Sequence, residues 1–314
     1  MTDALTTNRR SRTLNYLRGA LLAALSVIGF ASTFVSGGEL TRDLGISPLV
    51  LVFLRFSIAG GAMLLAGLAS PAMRGPLLSL RAADWRRLLW LGPVGTTIMA
   101  WCVFEGCARV PVANASMADA LSPLGIFAVS VAVTRRATPL QIAGLALGFA
   151  GALFTIRILG PDGIHLSAYG LGDVFILASA ITWGVYTVFG RDDVARIGSS
   201  AFSTWTMLIG AALALVLIAV LAAGGAAVGW PHGARAWGLV LFLGLFCTLL
   251  PFWTWNAAQK YLPLSVLGMS AYFTPVVAVL LDWAVRGHLV TPWQWLGTLL
   301  ICASAVVETG RHGR

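Results

Sequence analysis

Two charged residues stand deep in apolar surroundings and carry the first chemical signal in this chain. Arg55 is the eighth residue of an apolar run that opens at Pro48, and Asp119 is the eighth of another that opens at Val112. In hydrocarbon an ionised side chain costs about 2.5–3.5 kcal/mol even on a lenient insertion scale, so each needs a counter-ion, water or an ionised ligand. If both runs are helices entering from the same side, the helical rise puts the two charges at one depth, roughly 10 Å in. They can pair with each other, Arg55 can snorkel outward, or Asp119 can face a cationic group such as an ammonium. Spacing alone leaves these readings open. Ser116, Asp119 and Ser122 recur at i, i+3 and i+6 and form one polar stripe on a helix. Such a stripe lines a solute path or lets helices pack closely. Trp183 and Tyr186 share a face, as do Trp253 and Asn256, while Trp101 and Tyr272 lie well inside apolar runs. These side chains could stack on an apolar solute and hydrogen-bond its polar end. Core packing or an interfacial belt would use them equally well.

The elements that position these residues follow from composition. Hydrophobic residues make up 58% of the 314 and charged ones 11%, against about a quarter charged in soluble proteins, and mean hydropathy is +0.85. The expected fold class is an all-α integral membrane protein. Runs of about 20 residues fall near 17–37, 48–68, 87–106, 112–132, 139–157, 170–190, 201–222, 236–258, 264–284 and 292–308, giving ten transmembrane helices. Little chain remains for a soluble domain. The net charge of +9 sits in short loops, as topology determinants do, which argues against nucleic-acid binding. Ten spans place Arg9, Arg10, Arg12, Arg18, Arg74, Arg81, Arg86, Arg87, Arg135, Arg136, Arg191, Arg196, Lys260, Arg311 and Arg314 on one side. The other side receives Arg42, Arg109, Arg157, Arg235 and Arg286. By the positive-inside rule both termini are cytoplasmic. The first run, from about Leu17 to Gly37, is longer than a signal-peptide core and reads as an uncleaved span. Cys102, Cys107, Cys247 and Cys302 lie in apolar runs without metal-ligand spacing and read as small buried hydrophobes.

The chain also matches itself at an offset of about 152 residues. Gly92, Thr96 and Trp101 fall on Gly244, Thr248 and Trp253, and Pro111, Met117 and Pro123 on Pro263, Met269 and Pro275. Ser26 and Phe30 fall on Ser179 and Trp183 one residue out of step, and Pro139, Gln141 and Gly144 on Pro292, Gln294 and Gly297. Five spans per unit is an odd number, so the second unit enters the membrane upside down relative to the first. Inverted repeats of this kind suit alternating access to a midplane site. Pro123 and Pro275 are then paired hinge candidates, each freeing the carbonyl four residues earlier; a static kink is the other reading. The expected divisions are a tail at 1–16, one repeat at 17–157, a linker at 158–169, a second repeat at 170–308 and a tail at 309–314.

Leu121-Ser122-Pro123-Leu124 leading to Thr138-Pro139-Leu140-Gln141-Ile142-Ala143-Gly144 resembles the repeat ends of the drug/metabolite transporter superfamily, in its EamA branch. Phe273-Thr274-Pro275-Val276 leading to Thr291-Pro292-Trp293-Gln294-Trp295-Leu296-Gly297 resembles them again. Thr254-Trp255-Asn256 with Ala271-Tyr272-Phe273 is similar, more narrowly, to YddG-type amino-acid exporters. The resemblance implies a secondary transporter of a bacterial-type inner membrane. Its solute would be an amino acid, aromatic or hydrophobic ones included, or a similar small metabolite; a broader drug or metabolite carrier or importer is the alternative. Where that branch often carries Gly-Glu before the last span's Thr-Pro, this chain has Arg135-Arg136 and Gly287-His288, so a proton-coupled role for those glutamates does not transfer. A membrane-embedded transferase would need an acidic metal cluster or a nucleophile–base pair, and the sequence shows neither. It contains no P-loop, H-E-x-x-H or G-x-S-x-G, so neither catalysis, metal nor cofactor is expected. The partners expected are the lipid bilayer and a small solute. Oligomeric state stays open, a monomer being compatible with the sequence.

Overall fold

The computed structural model describes residues 2–109, 117–155, 159–160, 163–164, 170–286 and 291–309. In lipid every backbone N–H and C=O must be satisfied within the chain, so apolar runs fold as helices. The first half holds α1 (Thr2–Gly38), α2 (Pro48–Ala69), α3 (Pro71–Leu78), α4 (Ala82–Gly92), α5 (Met99–Arg109), α6 (Met117–Thr134) and α7 (Pro139–Thr155). The second holds α8 (Leu171–Ile197), α9 (Ser199–Ala223), α10 (Gly233–Gly244), α11 (Leu250–Ala258), α12 (Leu264–Ser270), α13 (Phe273–Arg286) and α14 (Pro292–Thr309). Between the halves a two-residue antiparallel pairing joins β1 (Leu159–Gly160) to β2 (Gly163–Ile164). Pro48, Pro71, Pro139 and Pro292 each open a helix, where a missing N–H is harmless.

Among the described residues six helical stretches are long and apolar enough to cross a bilayer: Thr13–Asp43, Pro48–Ala69, Ala82–Arg109, Val174–Ile197, Ser199–Ala223 and Gly233–Ala258. Leu121–Thr134, Pro139–Gly151 and Trp295–Ser304 are shorter apolar helices. Exposed Leu21, Leu65, Leu177, Val216, Val220 and Leu299 make an outward apolar surface, as lipid contact requires. Trp90, Trp230, Trp237 and Trp293 are exposed nearer helix ends.

The two halves pack by exchange. α5 lies on α8 and α11 on α1; α6 lies on α8 and α13 on α1; α4 lies on α9 and α10 on α2. The remaining large contacts, α2 with α9 and α7 with α14, join equivalent elements to each other. Matching π-helical segments interrupt the equivalent long helices, Pro93–Ile98 between α4 and α5 and Leu245–Leu249 between α10 and α11. Their threonines reach the facing helices in the same exchanged sense. Thr97 Oγ1 donates to the Gly210 carbonyl of α9 at 2.8 Å, and Thr248 Oγ1 accepts from Arg55 Nε of α2 at 2.8 Å. Ion pairs follow the same rule. At one end Arg87 and Arg196 hold Asp193, and Arg196 also pairs with Asp84, tying α4 to α8. At the other end Arg235 meets Glu39 at 2.6 Å, tying α10 to the π-helical segment Glu39–Asp43 that follows α1.

The halves differ around Pro123 and Pro275. Pro123 stays inside a continuous α6, whereas the stretch containing Pro275 is broken by a turn at Ala271 and Tyr272, so that Pro275 lies in the first turn of α13. The Ala271 carbonyl is therefore not left free, as the spacing predicts; it accepts from the Thr274 N–H at 3.0 Å. The cysteines also divide. Cys102, Cys107 and Cys247 are buried, but Cys302 is exposed on α14.

Candidate solute site

A narrow chamber of about 40 Å³ lies where the exchanged helices meet, with room for roughly three waters. Phe30, Phe34, Trp183, Phe252 and Trp255 form its aromatic wall; Thr33, Arg55, Ser122 and Ser179 supply the polar groups; Met99, Val103 and Ala271 complete it. The repeat is visible in this lining, since Phe30 of α1 and Trp183 of α8 are equivalent positions whose rings meet edge to face at 5.4 Å. Trp183 also contacts Phe252 at 5.3 Å and Trp255 at 5.4 Å.

Local backbone chemistry aims Arg55 at this chamber. Pro251 has no N–H to offer the carbonyl four residues before it, that of Cys247. This carbonyl instead accepts from Thr33 Oγ1 at 3.3 Å and is approached by Arg55 Nη2 at 3.5 Å. Within the π segment Thr248 Oγ1 donates to the Leu243 carbonyl at 2.6 Å, which orients its lone pair toward Arg55 Nε. The Phe56 and Phe104 rings lie 4.9 and 5.3 Å from the guanidinium carbon. Arg55 is 3% exposed, so snorkelling to the surface is not what it does. Of Asp119 the structure describes only the helical backbone, and Ser116 lies outside the described residues.

Tyr186 and Asn256 are fully buried together, off the chamber wall. Asn256 Nδ2 donates to Tyr186 Oη at 3.1 Å and to Ser203 Oγ at 2.7 Å, while its Oδ1 accepts from Gln259 at 2.9 Å. Tyr186 stacks on Trp183 with centroids 5.4 Å apart, so this network backs the aromatic wall. Trp101 lies apart from the lining and donates to Glu105 Oε1 at 2.9 Å. Trp253 is 36% exposed and donates to Ser200 Oγ at 3.0 Å. Tyr272 donates to the Leu145 carbonyl at 3.0 Å, its ring resting where Gly148 has no side chain. Sequence reasoning passed over Phe34, Thr33, Ser179, Phe252 and Trp255 as site residues. Phe30 and Ser179 were within reach, because each is one half of a repeat match.

A wide cleft of about 650 Å³ opens at the end where Arg136 and Arg191 lie, between α6 on one side and the start of α12 on the other. Pro123, Ile126, Gly268 and Met269 line it, while Ser122 and Ala271, next along the same elements, line the chamber. Ile126 therefore stands between cleft and chamber, and a Cβ placed on Gly268 would touch its side chain at 3.5 Å. On the far side the Phe104 ring lies against Gly37, close enough that a Cβ there would come within 2.8 Å. The Ile126–Gly268 contact thus forms a partition between chamber and cleft, and the Phe104–Gly37 contact lies at the opposite end.

The family model of the EamA-like transporter family matches residues 17–157 and again 170–309. The chain belongs to this family. Membership makes it a membrane transporter of the drug/metabolite superfamily with a two-repeat architecture. Among similar proteins, the aromatic amino acid exporter YddG of Ancylobacter novellus is 28% identical over 238 residues, 75% of this chain and 78% of that one. A probable terminal-alkyne amino-acid exporter of Streptantibioticus cattleyicolor is 25% identical, covering 91% and 92% of the two chains. The uncharacterized inner membrane transporter YedA of Escherichia coli K12 is 28% identical, covering 96% and 94%. A solved crystal structure superposes with a TM-score of 0.73 at 23% identity over 93% of this chain and 97% of the other, which shows the shared fold.

Proposed function

We propose that this EamA protein exports amino acids with aromatic or other large apolar side chains across a bacterial cytoplasmic membrane by alternating access. The observation that carries the reading is an aromatic chamber, with a buried arginine in its wall, at the crossing of two exchanged half-structures. Two relatives whose names include amino-acid export support the substrate class. In this reading ten transmembrane helices form two inverted sets of five, and both termini lie in the cytoplasm. The wide cleft then faces the cytoplasm, and Phe104 against Gly37 closes the outer side. With space for only a few waters, the chamber must widen before it accepts a solute, as ligand sites run to about 300–1,000 Å³. Asp119 is the group proposed to meet the solute's ammonium.

Purified protein in liposomes, loaded with a labelled amino-acid panel, tests the reading. Release of phenylalanine, tyrosine, tryptophan or leucine above the rate of protein-free vesicles is expected, and equality for every solute overturns it. Pro123 and Pro275 are proposed hinges, one inside a helix and one just beyond a break. Replacing both with alanine is expected to slow turnover about tenfold, a barrier change near 1.4 kcal/mol, with half-saturation little changed. Unaltered turnover in the double variant removes the hinge role.

A further inference from the structure

We propose that the chamber recognises a carboxylate, with Arg55 and the indole N–H of Trp255 as the groups that hold it. The inference rests on the amino-acid export reading and names the end of the solute that the chamber's donors hold. Trp255 lines the chamber, is 1% exposed, and its Nε1 is buried with no hydrogen-bond partner. A buried N–H donor left unpaired loses its hydration for nothing in return; in a transport chamber the return is an acceptor carried by the solute. Arg55 lines the same chamber, and its Nε is fixed by Thr248 at 2.8 Å. A guanidinium held at Nε keeps its plane, and a planar fork of donors suits a carboxylate better than a neutral carbonyl. The Thr33 and Ser179 hydroxyls donate to the Cys247 and Ile176 carbonyls, while Phe30 and Phe252 offer only ring faces and edges to the remainder of the solute. The lining therefore suits a small aromatic carboxylate, of which an aromatic amino acid is one case. An aromatic amine lacking the carboxylate leaves the Trp255 donor unanswered.

The experiment uses the full chain in liposomes and three probes sharing one ring: phenylalanine, 3-phenylpropionate and phenethylamine. Carrier-mediated flux of phenylalanine and 3-phenylpropionate is expected, with phenethylamine at the vesicle background after correction for passive leak. Trp255→Phe keeps the ring and removes the donor, and is expected to raise the half-saturation concentration for both carboxylates about fivefold. Arg55→Gln is expected to raise it roughly 10- to 100-fold, with Arg55→Lys in between because the charge remains and the fork is lost. Should Arg55→Gln fail to fold, Trp255→Phe and the probe series decide the matter alone. Phenethylamine moving as fast as phenylalanine, or a Trp255→Phe variant with unchanged half-saturation, overturns the carboxylate assignment and leaves the transport reading standing. No flux of any probe through folded wild-type protein overturns both.

Discussion

Oxidising a chain that carries Ile126→Cys, Gly268→Cys and Cys302→Ala is expected to stop transport, and reducing it to bring transport back. A Cβ built on Gly268 lies 3.8 Å from the Ile126 Cβ, within the roughly 3.5–4.5 Å span that a disulfide bridges without strain. The three remaining native cysteines are buried, and Cys302→Ala removes the exposed thiol. The bridge would join α6 to α12 at the partition between cleft and chamber. If the solute passes there, Ile126 must separate from Gly268 in every cycle, and a covalent link holds the partition shut. Flux should fall to that of protein-free vesicles, each single-cysteine variant should keep most of its rate, and a thiol reductant should restore the double variant. Peptide mapping under non-reducing conditions would verify the bridge. A fully bridged protein that still moves solute at the reduced rate would place the path elsewhere.

How far the residues announced this arrangement depends on what each is constrained by. Prolines and glycines are legible because backbone geometry admits few substitutes. Pro48, Pro139 and Pro292 mark helix starts as expected, and Gly92 with Gly244 led to the repeat whose π segments begin next to them. The facing of aromatics was not legible. A membrane helix has lipid on one side and protein on the other, both apolar, so the contrast that reveals a buried face in a soluble helix is weak. The repeat match with Trp101 points to Trp253, yet it is Trp255, two residues on, that lines the chamber. The π segment just before α11 adds to the difficulty, because an inserted residue rotates every later side chain relative to α10. Arg55 was found for the opposite reason. A buried charge is costly wherever it points, so its presence alone signals a role, although its partner Thr248 could be named only once the fold was known. The break at Ala271 and Tyr272 escaped notice because Pro275 invites a kink at its own position, and the turn instead forms at the two residues before α13.

Replacing Gly125 with leucine is expected to damage the fold far more than a glycine-to-leucine change on a helix surface where nothing stands close. α6 and α8 approach backbone to backbone: a Cβ on Gly125 would lie 2.1 Å from the Ala180 carbonyl oxygen, and one on Gly184 would lie 2.5 Å from the Gly125 carbonyl. Lipid tails are as apolar as side chains, so burying apolar surface gives these helices little reason to associate, and close packing of small residues supplies much of the attraction. A leucine cannot enter that contact by changing rotamer, since the obstructing atoms are main chain. α6 must move away and take with it Ser122 of the chamber and Ile126 of the partition. Overpacking of a core costs typically about 1–3 kcal/mol, which for a chain of this size lowers the melting temperature on the order of 2–5 °C. The matched control is Gly238→Leu in α10, where a Cβ would meet nothing within 4 Å and the side chain enters the apolar surroundings. Thermal unfolding of both variants in detergent, followed by loss of the monodisperse peak on size exclusion, measures the difference. Equal melting temperatures would mean that the α6–α8 crossing is looser than its backbone contacts imply. The partition at Ile126 would then be held by α7 and α12, the other elements that line the cleft beside it.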